Sequence, residues 1–445
     1  KYFYFIPECG FMPGKGTVDA LFIARMLQEK YGKKKRRLYM CFVDLEKAFD
    51  RVPRKVIEWA LRKKGVNERL VRVVMQLYEG AKTKVKVGKG MSDAFSVKVG
   101  VHQGSVLSPF LFAIVMDVVC GDVMEGLLFE ILYADDLVLM ADSMEELQLK
   151  FDRWKSVIEK KGLKVNIGKT KVMVSGEGGE RVISRIDPCG VCDKRVKANS
   201  VLCIGCQKWV HKRCSGVKGA LKKVEGMFKC KRCVKGVINR EEAKTGLSDG
   251  IERVESFVYL GDKLNADGGC LSAVTARVRV GWMKFRELSG VLCGRKWSVK
   301  MKGRVYKACV RAAIVYGGET WTVRKEEEGV LRRAERAMVR RMCGVKVKDR
   351  KSSMELMSML GLSEDIVTLI RRSRLRWYGH VLRRIEGVGI RRALEFEVEG
   401  VTGRGRPRLG WREQVEKDRV KAGLRDVEAS DRCKWRPRVC GLHHG

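Results

Sequence analysis

Apolar residues recur along this chain in two rhythms. Behind Thr17, a residue suited to capping, Leu21, Ala24, Leu27 and Gln28 keep helical spacing and predict a helix to about Gln28. The run Lys33-Lys34-Lys35-Arg36-Arg37 leads into an apolar strand, Leu38 to Val43. It fits an import signal, a phosphate contact or a solvated loop equally. Arg51 to Lys64 and Arg69 to Tyr78 read as helices. Lys82 to Val99 alternates charged and apolar residues, as a hairpin turning at Gly88 to Gly90 does. Ser108 to Val119 reads as a buried helix, Ile131 to Leu139 as strand–turn–strand, and Met144 to Lys161 as an amphipathic helix. A cysteine-rich block at 187–236 breaks the pattern, then comes a short strand at Phe257 to Leu260. The rest, 274–445, is basic and largely helical, so the chain reads as α+β without internal repeats.

Length and charge narrow this. At roughly 150 residues per domain, 445 residues suggest about three domains. Lys and Arg total 92 against 53 acids, a formal +39, which points to a polyanion, and nucleic acid first. An apolar share of 45% with only 7 Pro excludes wholesale disorder. The longest apolar run, Phe110 to Met116, stops at Asp117, short of the ~18 residues a membrane span needs. The chain opens KYFYFIPECG, with no leader pattern and no Met, and reads as a piece of a longer product.

Two acidic motifs sit where acids are costly. Asp44 ends an apolar strand in CFVDLEKAFD, and Asp135 and Asp136 stand between apolar strands in ILYADDLVLM. Crowded carboxylates in apolar surroundings resist ionising unless a cation neutralises them. Hard oxygen donors without nearby His suit Mg2+ or Mn2+ rather than zinc. Two such ions about 4 Å apart activate an attacking hydroxyl and stabilise a pyrophosphate leaving group.

In order along the chain come GFMPGKGTVDA (10–20), FVDLEKAFD (42–50), GVHQGSVLSPFLF (100–112), LYADDLVL (132–139), GLKVNIGKTKVM (162–173) and YLG (259–261). Through these motifs the chain resembles the reverse transcriptases of non-LTR retrotransposons, the LINE class. The similarity continues through RLRWYGHV (374–381) and GRPRLGW (405–411). The resemblance implies a right-hand polymerase: partial fingers and palm over 1–175, palm end and primer grip over 250–273, thumb over 274–349, then a basic region over 350–445. It also implies that Asp44 and Asp135 bind both Mg2+ ions with Asp136 assisting, and that Phe49 bars a sugar 2′-hydroxyl. Gln103 and Gly104 would line nucleotide and template, with Ser105 positioning the segment. Lys169 would protonate the leaving pyrophosphate, with Lys171 as the fallback, and Tyr259, Leu260 and Gly261 would grip the primer. The partners implied are an RNA template, a DNA primer or target and dNTPs. The family's triphosphate-gripping finger residues and endonuclease lie upstream of the segment where this chain starts. A non-catalytic nucleic-acid- or chromatin-binding derivative is therefore the alternative reading.

The cysteine block has its own logic. Cys189-x2-Cys192-x10-Cys203-x2-Cys206-x4-His211-x2-Cys214-x15-Cys230-x2-Cys233 contains four pairs at x2 spacing, enough for two closed tetrahedral Zn2+ sites. Such a ligand set belongs in a reducing compartment, nuclear and/or cytoplasmic. About 50 residues hold too little core to fold alone, so zinc would supply much of the stability. The order of ligands, with Trp209 and Phe228, resembles a PHD finger, whose cross-braced wiring pairs Cys189, Cys192, His211 and Cys214 in one site and Cys203, Cys206, Cys230 and Cys233 in the other. RING-like pairing fits less well. With 13 Lys and Arg against 3 acids over 187–236, the block should repel a basic histone tail and favour nucleic acid.

Residues 274–349 carry 20 bases against 7 acids, as duplex-tracking helices would. Trp377 and Tyr378 sit among arginines, suited either to base stacking or to a helical core. Cys433, Cys440 and His443 offer a weak third metal pattern.

Overall fold

The computed structural model describes residues 16–88, 90–121, 123–124, 128–176, 247, 250–385, 389–400 and 408–440, together with short stretches between 189 and 231. The chain divides into two units, 1–177 with 247–445, and 178–246.

Helix α1 (Thr17–Lys33) opens the large unit. Its cap is Gly16 rather than Thr17. Gly16 is extended and its N–H donates to Asp19 Oδ2 (2.8 Å), which frees Thr17 for a tertiary contact. Strand β1 (Leu38–Val43) follows as the spacing predicts. The helix expected over 51–64 is split: Pro53 has no N–H to donate and holds Val52 extended, so α2 runs Arg54–Lys63. Next comes α3 (Glu68–Gln76). The expected hairpin pairs Lys82 with Ser96 and Val87 with Gly90 and stands fully exposed.

Helix α4 (Leu107–Cys120) is buried on nearly all sides. Strands β2 (Glu130–Tyr133) and β3 (Asp136–Ala141) form a hairpin, and α5 (Met144–Lys160) is capped by Ser143 Oγ, which accepts from Glu146 N at 3.1 Å. Strand β4 (Lys171–Ser175) and the short β5 (Glu252–Arg253) complete a sheet of order β5-β4-β1-β3-β2. It is antiparallel except for β5 against β4.

Both sheet faces are covered, which explains why the strands read as unbroken apolar runs. Leu38, Met40, Phe42, Val138 and Met140 pack towards α1, whereas Cys41, Val43, Leu137 and Leu139 join the cluster built with α2, α4 and α5. Hairpin β6 (Ser256–Tyr259) and β7 (Asp262–Asn265) leans on the first face, with Phe257 stacked on Phe42 at 4.4 Å.

The helical part has its own core. Helix α6 (Leu271–Glu287), a run from Val299 to Val315 with a π-helical turn at Tyr306–Arg311, and α7 (Lys325–Cys343) pack around Trp321, Met338 and Ile370. The last region is no free tail. Helix α8 (Ile366–Leu382), the short helix Gly389–Glu395 and α9 (Trp411–Lys421) return to α1, and Arg432–Cys440 packs on α8. Trp411 meets Phe22 edge-on at 4.8 Å, and its backbone N–H donates to Glu29 Oε2 at 2.7 Å. Trp377 packs against Phe22 and His380, and Tyr378 against Trp411 and Trp435, so both rings serve the core rather than a stacking surface. Among the described residues, no helix is long and apolar enough to cross a membrane.

In the small unit, Ser200–Leu202 pairs with Trp209–His211, and among the described residues Val201, Val210 and Phe228 cluster with Cys189, Cys203 and Cys230.

Candidate active site and cysteine centre

The register of the central strands makes the site. Strand β1 runs antiparallel to β3 with Val43 opposite Leu137, so one step further Asp44 faces Asp136. The β2–β3 turn places Asp135 beside them. Its other central residue, Ala134, has φ +59, a conformation such a turn ordinarily gives to glycine. Of five described non-glycine residues with positive φ, three lie in the quoted motifs: Lys47, Ala134 and Leu260. Of these, Ala134 adjoins the acids directly.

The three carboxylates crowd one another, and Lys169 offsets only part of their charge. Burial, then the charges of Asp135 and Asp44, push the Asp136 carboxyl up to about 6. Asp44 is also raised, by desolvation and by Asp135, against the pull of Lys169 and Asn166. Its Oδ2 is buried, accepts no hydrogen bond, and has the Lys169 ammonium at 3.8 Å. Three crowded carboxylates, two of them raised by burial and by one another, fit a divalent cation with hard oxygen ligands. The segment after α5 is fastened to Asp44 on both sides: Asn166 N donates to Asp44 O (2.8 Å) and Asp44 N to Thr170 Oγ1 (3.3 Å). This directs Lys169 to Asp44. Lys171 instead donates to Glu252 at 2.9 Å and Gly168 O at 2.7 Å, so geometry separates the two lysines.

Phe49 is half-buried, stacked on Phe112 of α4 at 4.5 Å and 25°. The GVHQG segment lies against it, with Gly100 N donating to Val52 O and Val101 N to Phe49 O, both at 2.9 Å. A Cβ on Gly100 would stand 2.6 Å from Asp50 O, which is why glycine occupies that position. Gln103 is exposed and donates to Asp50 Oδ1 at 2.6 Å, while Gly104 at φ +84 has open space where a Cβ would sit. Tyr259 is buried, and Leu260 and Gly261 form the two-residue β6–β7 turn. Sequence reasoning missed Asn166, Thr170 and Asp50, although all three lie within the quoted motifs. It also missed Tyr316 and Asp262, whose surroundings carry no local signal.

In the small unit, the ligand atoms of Cys189, Cys192, His211 and Cys214 all lie within 4.8 Å of one another. The sulfurs of Cys192 and Cys214 stand 3.5 and 3.8 Å from His211 Nδ1. Burial opposes ionisation of Cys189, yet backbone N–H groups of His211, Cys192 and Val191 bring it down to about 6, towards the thiolate a metal needs. Cys214 is raised by desolvation and by its sulfur neighbours, crowding that a cation relieves. Of the second expected set, Cys230 N donates to Cys203 Sγ at 3.1 Å; Cys206 and Cys233 lie outside the described residues.

The acids thus stand on adjoining strand ends of a mostly antiparallel sheet covered by helices. Residues 5–261, more than half of the chain, match the family model for reverse transcriptase (RNA-dependent DNA polymerase), and the chain belongs to that family, with its right-hand fold. It is 31% identical over 163 residues to the Pol polyprotein of the type-1 retrotransposable element R2 of Nasonia vitripennis, covering 35% of this chain and 16% of that protein. It is 32% identical over 168 residues to the corresponding protein of the type-2 element R2DM of Drosophila melanogaster (36% and 16%). Against the RNA-directed DNA polymerase of the mobile element jockey of Drosophila funebris it is 28% identical over 174 residues (36% and 19%). The chain thus matches less than a fifth of the length of each of these relatives.

Proposed function

We propose that this chain is the RNA-directed DNA polymerase segment of a non-LTR retrotransposon, extending a primer 3′-hydroxyl with dNTPs and releasing pyrophosphate. The observation that carries this reading is the β1–β3 register, which brings Asp44 to Asp135 and Asp136 from 91 residues away. Asp44 and Asp135, with Asp136 assisting, would hold two Mg2+ or Mn2+ ions. When bound, these lower the pKa of the attacking hydroxyl and neutralise charge on the leaving pyrophosphate. Lys169, 3.8 Å from Asp44 Oδ2, would give a proton to that pyrophosphate. Phe49, stacked on Phe112, would be the ring that bars a sugar 2′-hydroxyl. Gln103, held by Asp50, and Gly104 line the nucleotide and template path, and the Tyr259-Leu260-Gly261 turn holds the primer end.

In domain terms we assign 1–175 to partial fingers and palm, 250–273 to the palm end and primer grip, 274–349 to the thumb and 350–445 to a basic region folded back on α1. The unit around 187–236 is a PHD-like insert with two Zn2+, one on Cys189, Cys192, His211 and Cys214, the other on Cys203, Cys206, Cys230 and Cys233. Its surplus of bases favours template, primer or target DNA over a histone tail. A reducing nuclear or cytoplasmic setting keeps its ligands as thiols and thiolates.

Primer extension on poly(rA)/oligo(dT) tests the enzyme reading. The unmodified chain should extend and Asp135→Ala should not; equal product from both sinks the proposal. Zinc analysis should return two ions per chain. Fluorescence titration should show nucleic-acid binding that weakens with salt; micromolar histone-tail binding without nucleic-acid binding would reverse the assignment of the insert.

A further inference from the structure

The β6–β7 turn is held in an unfavourable shape by residues far away in the chain. Both central residues have positive φ, Leu260 at +45 and Gly261 at +78, the geometry of a type I′ turn, which suits Asn-Gly and penalises leucine. A leucine persists there only where its surroundings fix it. Two side chains of the following helical region do so. Tyr316 Oη donates to Leu260 O at 2.9 Å, and the Arg277 guanidinium donates to Gly261 O. Arg277 also lies over the Tyr316 ring, 4.2 Å from its centroid, so the two braces support each other.

Tyr316 reaches further. With its own proton given to Leu260, its oxygen accepts from Thr17 Oγ1 at 2.7 Å, at the start of α1. Tyr133, the first residue of the YADD turn, lies within electrostatic range of it. Just behind the turn, Asp262 is wholly buried and accepts from Arg25 of α1 (2.9 Å) and Trp321 Nε1 (2.9 Å). Gly317, at φ +74, passes so close that a Cβ there would sit 3.1 Å from the Asp262 carboxylate. One tyrosine hydroxyl therefore ties α1 to the hairpin tip, beside the strand end that carries the acids.

We propose that Tyr316 is a positioning residue for the primer terminus. Through the Thr17–Tyr316–Leu260 chain of hydrogen bonds it sets the height of the β6–β7 turn relative to the acid cluster. It does so without touching nucleotide or cation. The proposal rests on the reading of this hairpin as the primer grip.

The test uses the full 445-residue chain with a primer–template whose 3′-terminal primer base is 2-aminopurine. Tyr316→Phe keeps the ring over Arg277 and removes the bridge, and Thr17→Val removes it from the other side. Both should raise KM for primer–template about tenfold, the equivalent of one to two neutral hydrogen bonds, and return the 2-aminopurine emission towards that of free duplex. KM for dTTP and kcat should change less than twofold, and Thr17→Ser should behave as the unmodified chain. Unchanged KM and emission in Tyr316→Phe overturn the proposal, as does a fall in kcat and melting temperature alone, which marks a merely structural contact. The emission needs no turnover. A chain that perturbs the primer end but does not extend it refutes the polymerase reading and still decides the role of Tyr316.

Discussion

The acid cluster of the large unit and the cysteine cluster of the small one solve the same problem in opposite ways. Each gathers groups that repel one another. In the large unit the scaffold comes first: β1 and β3 are covered on both faces, and the fold would hold Asp44, Asp135 and Asp136 together with or without a cation. Among the described residues of the small unit, Val201, Val210 and Phe228 pack directly on Cys189, Cys203 and Cys230, so the cysteines form much of that cluster. Where packing is ample, the ion is a cofactor. Where it is scant, the ion is part of the fold.

That contrast can be broken experimentally. The largest effect should come from a zinc chelator. If zinc binds as proposed, it should unfold the 178–246 unit, since structural zinc in small domains is worth on the order of 10 kcal/mol, while the large unit keeps its melting transition. Limited proteolysis read alongside circular dichroism would show it, and a small unit that resists protease without metal defeats the comparison. Second, Asp135→Ala should cut primer extension at least ~10³-fold, about 4 kcal/mol in barrier, with the melting temperature of the large unit nearly unchanged. Concerted loss of both would mean that the acids are structural. Third, Leu139→Ala, at a fully buried position, should cost the large unit about 2–5 kcal/mol in denaturant titration and leave zinc content untouched. Smallest, Ser143→Ala removes the cap of α5 and should cost about 1 kcal/mol by the same titration.

Much of the site was legible because its signals are local. Asp44 and the Asp135-Asp136 pair are acids embedded in apolar runs, and burying an acid without a partner is too costly to be incidental. The x2 cysteine pairs are equally local, since the reach of two thiolates to one ion fixes their spacing. The split at Val52-Pro53 was legible in principle, because proline's missing N–H is local chemistry, but the helical periodicity around it masked the break. Trp377 was ambiguous in the sequence because an aromatic among arginines suits a stacking surface and a packed helix alike. Only its contact with Phe22, more than 350 residues earlier, decided for the core.

The sequence by itself thus marked strands β1, β2, β3 and β6, most of the main helices, the three candidate acids and the two-by-two cysteine pattern, while β4, β5 and β7 went unread, because periodicity, charge burial and ligand spacing are properties of neighbouring residues. The tertiary structure alone decided that the basic C-terminal region returns to α1, that Lys169 rather than Lys171 faces Asp44, and that Tyr316 bridges to Thr17 across 299 positions. A tyrosine, a threonine and a backbone carbonyl are ordinary in any local window. Their hydrogen bonds exist only once the chain has folded, and nothing along the sequence records a contact made through space.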